Sequence, residues 1–171
     1  MAGGKIRNLR LHASLILLLL TIGVFACRSQ VVHHSPVRAA SDANKFLRTL
    51  YYDEDYVKAL DLADEQLRSA ATVENLNQMV DQMKQKRGKL KQLWGDSYLM
   101  TPGATIELFY IGDYDQGISY HRLVLVGDAS AGYKVAGIWF QHEPYSQQSL
   151  RRKFDVDVSV GRLGASQIPN P

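Results

Sequence analysis

The chain has 171 residues, 46% hydrophobic and 22% charged, a length and balance suited to one globular domain with a self-sufficient core. Its formal charge is +3, but Lys5, Arg7 and Arg10 all precede an apolar run, and without them the 20 basic residues fall to 17, equal to the 17 acidic ones. The basic excess is therefore no phosphate-binding footprint and argues against nucleic acid as a partner, while a single cysteine excludes an intrachain disulfide framework and a Cys-rich metal site.

Residues 13–26 form an uncharged run of 14 residues. A spanning helix needs about 18–20. A positive start, a short apolar core and a small residue before a cut site describe a signal peptide over residues 1–26. The run ends Val24-Phe25-Ala26-Cys27. This segment resembles the lipobox of bacterial lipoproteins: an aliphatic residue, a variable one, a small one, then the lipidated cysteine. The resemblance implies a thioether-linked diacylglyceryl group on Cys27, cleavage before it, and acylation of the new amino terminus. The first partner it implies is a lipid bilayer, on the exported side of a cell membrane. Arg28-Ser29 follow, with no Asp, which implies outer-membrane sorting if the cell has an outer membrane. A secretory signal with an incidental cysteine and a short uncleaved anchor are the competing readings.

Residues 28–40 show no period and read as a solvated tether, 27–40 when the lipidated cysteine is included. His33 and His34 are adjacent, so their side chains diverge, and no third metal ligand lies nearby. The domain is expected over 41–160. Ser41-Asp42 can cap a helix whose buried face carries Phe46, Leu47, Leu50 and Tyr51. Residues 52–55 interrupt it. Val57, Leu60, Ala63 and Leu67 then fall along one face of a second helix. Thr72 or Asn75 can cap a third, with Leu76, Met79, Val80, Met83 and Arg87 on its buried face and Gly88 as its stop.

After Gly88 the period changes to that of strands. These are expected at 89–100, bulged at Gly95, then 105–111, 118–126 and 133–141, joined by turns at Pro102-Gly103, 112–117 and 127–132. Residues 155–160 alternate like a further short strand, and 161–171 form a loose tail. Helices first and an antiparallel meander after them make an α+β fold, with the N-terminal helices packed on one face of a curved sheet. The helix–short helix–longer helix order, together with Gly132-Tyr133-Lys134-Val135-Ala136-Gly137-Ile138-Trp139, resembles the nuclear transport factor 2-like fold, the α+β cone shared by ketosteroid isomerase. That resemblance covers about residues 41–141 and consists of packing signatures, so it implies a pocket-forming fold more than an activity.

Catalysis of the ketosteroid isomerase type needs an Asp base with a protonated Asp and a Tyr as oxyanion donors inside the cone. Glu107, His121, Tyr110 and Tyr120 lie on expected strands, yet no catalytic motif contains them. Glu107 and His121 can be drawn as an acid/base pair, or as a solvent-facing cross-strand pair, which is the reading preferred here. Trp94, Trp139 and the tyrosines are expected in the core, with Trp139 against the helix bearing Leu76, Met79 and Met83. Asp53-Glu54-Asp55 reads as turn and capping residues, and the cations Lys84, Lys86, Arg87, Lys89 and Lys91 as a solvated helix end. No cofactor and no metal is called for. The preferred expectation is a non-catalytic, membrane-anchored envelope lipoprotein whose domain binds a small apolar ligand or a protein partner. An isomerase- or hydrolase-like enzyme using the cone is the alternative, and a subunit of a secretion or envelope assembly is a third reading. A homodimer is among the partners considered.

Overall fold

The computed structural model describes residues 32–161, except 102, 104 and 147. The expected signal peptide, Cys27 and the residues from 162 onward lie outside the described part. No helix among the described residues is long and apolar enough to cross a membrane.

Four helices come first: α1 (Pro36–Tyr51), α2 (Tyr56–Asp61), α3 (Glu65–Ala70) and α4 (Val73–Arg87). The strands follow: β1 (Leu90–Met100), β2 (Thr105–Tyr114), β3 (Gly117–Asp128), β4 (Gly132–Gln141) and the two-residue β5 (Arg152–Lys153). They form one curved, unclosed antiparallel sheet in the order β4-β3-β2-β1-β5. This is the expected α+β fold.

Helix α1 starts at Pro36, earlier than the Ser41-Asp42 signal suggests, because Ser35 caps it and Pro36 occupies the first turn. Ala39 and Ala40, assigned to a solvated tether by their lack of period, are buried. With Ala43 they let the helix lie close to the sheet, and Phe46, Leu47 and Leu50 continue the buried stripe. The single second helix expected from Val57 to Leu67 is two short ones. Asp55 caps the first through Lys58 N–H (3.0 Å), and Asp64 caps the second through Gln66 N–H (2.9 Å). Between them Ala63 forms a bridge to Val135, and Asp64 N–H donates to Val135 O at 2.8 Å. The backbone that would continue the helix instead binds the edge of β4, and Val57 is left exposed. Thr72 and Asn75 together build the capping box of α4. Gly88 ends that helix with φ +75°, as expected.

β2 and β3 pair without interruption from Thr105–Val126 to Tyr114–Gly117. The loop expected at 112–117 is therefore only a two-residue turn, made feasible by Gly117 at φ +108°. β1 carries the expected irregularity at Gly95. An added Cβ there would meet Val158 at 2.7 Å. The close approach lets Gly95 N–H reach Val158 O at 2.7 Å, and Val160 N–H reaches Leu93 O at 2.8 Å. The alternating segment 155–160 thus lies along β1 as an isolated bridge at Ser159, with Val158 and Val160 buried.

The expected place of Trp139 is wrong. The β3–β4 register shifts between Val124 and Leu125, leaving Ala136 as the extra residue of a bulge. Tyr133 and Val135 point to the helices before the bulge, and the phase then flips. Ile138 faces inward opposite Leu123, and Trp139 faces outward opposite Arg122. Its indole is 48% exposed and folds over Gly137, where a Cβ would lie 2.3 Å from the ring. Leu123→Ala, which empties a fully buried site, should lower unfolding free energy by about 2–5 kcal/mol. Trp139→Ala should lower it by less, about 1–2 kcal/mol, since about half of the indole surface is already in water. Urea denaturation of both variants checks this; equal losses would mean that the bulge is misplaced.

Candidate functional site

The β2–β3 register decides which candidate residues meet. Tyr110 stands opposite His121, whereas Glu107 stands opposite Val124. Side chains alternate along each strand, so Tyr110 and His121 face the helices, while Glu107 and Tyr120 face away. Glu107 and His121 therefore form neither an acid/base pair nor a surface pair.

His121 is fully buried. Its Nδ1 lies 3.3 Å from the Tyr51 hydroxyl of α1, and its Nε2 lies 3.2 Å from the Tyr114 hydroxyl at the end of β2. Tyr114 stacks on the imidazole, Tyr51 meets it edge-on, and Phe140 of β4 lies 6.4 Å away. Gly112 makes the stack possible, because a Cβ there would lie 2.7 Å from the Tyr114 ring and 3.0 Å from Nε2. A neutral imidazole supplies one donor and one acceptor, so one hydroxyl donates to the bare nitrogen while the other accepts from the ring N–H. Burial holds the His121 pKa down at about 4 and pushes the hydroxyls of Tyr51, Tyr110 and Tyr114 well above the usual phenol range. The cluster is uncharged, its ring nitrogens are engaged, and the imidazole has no solvent access. It is a structural polar network inside the core.

Tyr110 donates instead to Asn44 Oδ1 of α1 at 2.8 Å, and Asn44 Nδ2 donates to Ser159 O at 3.2 Å. Ser119 completes the inward polar groups of β3; its buried hydroxyl has no partner. Sequence reasoning missed Tyr51 and Tyr114, one read as a helix-face aromatic and the other placed in a loop. No carboxylate is buried among the described residues, and no three His, Cys, Asp or Glu side chains gather as a metal site there.

The outward face carries the remaining chemistry. Arg122 Nε donates to Glu107 Oε2 at 2.7 Å, and its guanidinium lies 5.1 Å from the Trp139 ring. Beyond β4 the chain crosses this face. Tyr145 packs edge-on to Phe109, and Arg151 stacks over the same ring at 4.2 Å. A cleft of about 310 Å³ lies beside this crossing, lined by Asp96, Ile111, Tyr120, Pro144, Arg151 and Lys153. Elsewhere, Glu54 pairs with Lys84 at 2.7 Å and Asp55 caps α2, so the acidic run does turn and capping work as expected. Lys91 lies 3.7 Å from Asp115, and Arg87 donates to Gln116 O at the end of α4.

No protein-family model matches this chain, and neither a curated protein nor a solved structure does.

The buried imidazole makes stability depend on pH. Unfolded, His121 titrates near 6.5; folded, it stays neutral down to about 4. Between those values the unfolded chain binds one more proton, so stability is full above pH 6.5 and falls as pH drops toward 4, by about 3 kcal/mol in all. Urea denaturation across that range should show the slope, and His121→Asn should flatten it. An unchanged slope in the variant would mean that other groups carry the effect.

Proposed function

We propose that the protein is a membrane-anchored lipoprotein of the cell envelope, held through acylated Cys27, whose α+β domain works by binding rather than by catalysis. The observation that carries the binding reading is the inner face of the sheet. Leu108, Tyr110, His121 and Leu123 are at most 1% exposed, and no carboxylate lies among them. Chemistry in a cone needs an ionisable pair open to substrate. Here the inward-facing side chains pack together, and His121 among them is held neutral by burial. These groups are sealed from solvent, so this reading assigns binding to the outward face. It offers a half-exposed Trp139, the Arg122–Glu107 pair beside it and the cleft at Tyr120. Trp and Arg are enriched in the anchoring residues of interfaces. The order of helices and meander also supports kinship with the nuclear transport factor 2-like fold.

Two experiments test the two halves. Cells fed a clickable palmitate analogue should label the wild-type protein and not Cys27→Ser; equal labelling sinks the anchor. A photo-crosslinking amino acid placed at Trp139 should capture a discrete envelope component in intact cells, while the same residue at Gln78 on the exposed side of α4 should not. Capture at neither position, or only at Gln78, would move binding away from this face.

A further inference from the structure

The segment that leads into α1 is fastened to the domain. Ala129 N–H, in the turn between β3 and β4, donates to His33 O at 2.9 Å. His34 Nε2 lies 2.9 Å from Gly103 O, in the turn between β1 and β2. His34 Nδ1 lies 3.3 Å from the Tyr133 hydroxyl, and Ser35 N–H donates to that same hydroxyl at 2.8 Å. One assignment satisfies all of these: Ser35 N–H to the Tyr133 oxygen, Tyr133 O–H to Nδ1, and Nε2–H to Gly103 O. The His34 ring also stacks on Tyr133 at 5.9 Å. The two histidines, read from sequence as part of a free tether, instead connect the chain to both turns at one end of the sheet.

That end has a consequence for a chain anchored at Cys27. Five residues lie between Cys27 and His33, six Cα-to-Cα steps with a reach of at most about 22 Å. β3 has 12 residues and spans roughly 40 Å, so the turn at Asp115-Gln116 lies that far from the turn at 129–131. The near turn reads Ala129-Ser130-Ala131-Gly132, uncharged and small. Its neighbour Asp128 is already engaged by Ser130 and Ala131. The cations Lys84, Lys86, Arg87, Lys89 and Lys91 gather toward the far end, at the close of α4 and the start of β1.

We infer that the domain stands on the bilayer by the end of the sheet that carries the β3–β4 turn, with the Asp115-Gln116 turn and the cationic end of α4 pointing away from the lipid. The partner of this surface is the headgroup layer of the membrane that holds Cys27, and the inference rests on the lipid anchor proposed above. A tether free as far as α1 would let any face approach; docking of His33, His34 and Ser35 shortens the free segment and favours the end of the sheet it is fastened to. The outer sheet face is then held upright and open to the aqueous side.

The lipidated full-length protein, reconstituted into phosphatidylcholine vesicles, tests this. The Cys27 thiol is spent in the thioether, so one introduced cysteine is the only free thiol. Ser130→Cys and Gln116→Cys, each carrying an environment-sensitive fluorophore, are compared with and without a headgroup-linked quencher in the lipid. Quenching should be several-fold stronger at 130 than at 116. Tyr133→Phe, which removes the shared hydroxyl and keeps the ring, should narrow that difference while a cooperative melt is retained. Equal quenching, or stronger quenching at 116, in protein that floats with the vesicles overturns the orientation alone. Protein that fails to float overturns the anchor and the orientation with it. A difference untouched by Tyr133→Phe in folded protein overturns the docking as its cause.

Discussion

The unbroken pairing of β2 with β3 is the constraint on which the rest of the molecule depends. Ten consecutive pairs run from Thr105–Val126 to Tyr114–Gly117 with no bulge. A slip of one residue in such a ladder turns every side chain to the opposite face. The register places Ile106, Leu108 and Tyr110 with Leu125, Leu123 and His121 under the helices, and it sends Glu107 and Arg122 outward together. The core, the buried polar cluster and the outer ion pair are three results of one alignment. Gly112 and Gly117 keep it intact: the first leaves room for the Tyr114 ring over the ladder, and the second closes the turn with a positive φ.

Much of this was legible in the residues. The change of period at Gly88, the capping signal at Thr72 and the turn glycines located α4 and every long strand of the sheet. The α+β class followed from their order. The helix boundaries that failed did so because tertiary contacts overrode local pattern. Ala39 and Ala40 carry no amphipathic signal, being too small to mark a face, yet they are what lets α1 approach the sheet. The second helix broke at Ala63 because an edge strand offered its Val135 carbonyl to Asp64 N–H. Both effects come from residues far away in sequence.

The candidate site was legible only in part, for a related reason. His121 shares the parity of Leu123 and Leu125, and that signal alone marks it as inward-facing. Reading it against Tyr120 and Arg122 placed it beside Glu107. Tyr51 and Tyr114 could not be joined to it without the fold, since they come from a helix and a strand end 63 positions apart. Trp139 was unreachable by alternation, because a one-residue bulge at Ala136 breaks the period inside a strand whose sequence looks continuous. Bulges re-aim side chains without a composition signal of their own. Here the bulge takes the largest aromatic of β4 out of the core and sets it over Gly137, beside Arg122.

A fastening at one end of the sheet links the N-terminal segment to these faces. Asp42 on α1 accepts the Tyr133 N–H at 3.1 Å and pairs with Arg38 and Lys45. Burial opposes its ionisation, but the Lys45 hydrogen bond, the Tyr133 amide and the two cations outweigh that and hold its carboxyl below the ordinary aspartate range. The backbone of Tyr133 is thus fixed to α1 by a carboxylate, while its hydroxyl holds His34 and Ser35. A pull on the N-terminal segment therefore reaches the first residues of β4 and, through Asp42, the first turns of α1, rather than a hairpin tip alone. β4 also carries the bulge and Trp139, and its partner β3 carries both His121 and Arg122. The strand that holds His34 and Ser35 is the one whose bulge presents Trp139 on the outer face. The N-terminal segment is thus joined through Tyr133 and Asp42 to the strand that presents Trp139, while His121 and its two tyrosines pack on the inner face, further along the sheet from Tyr133.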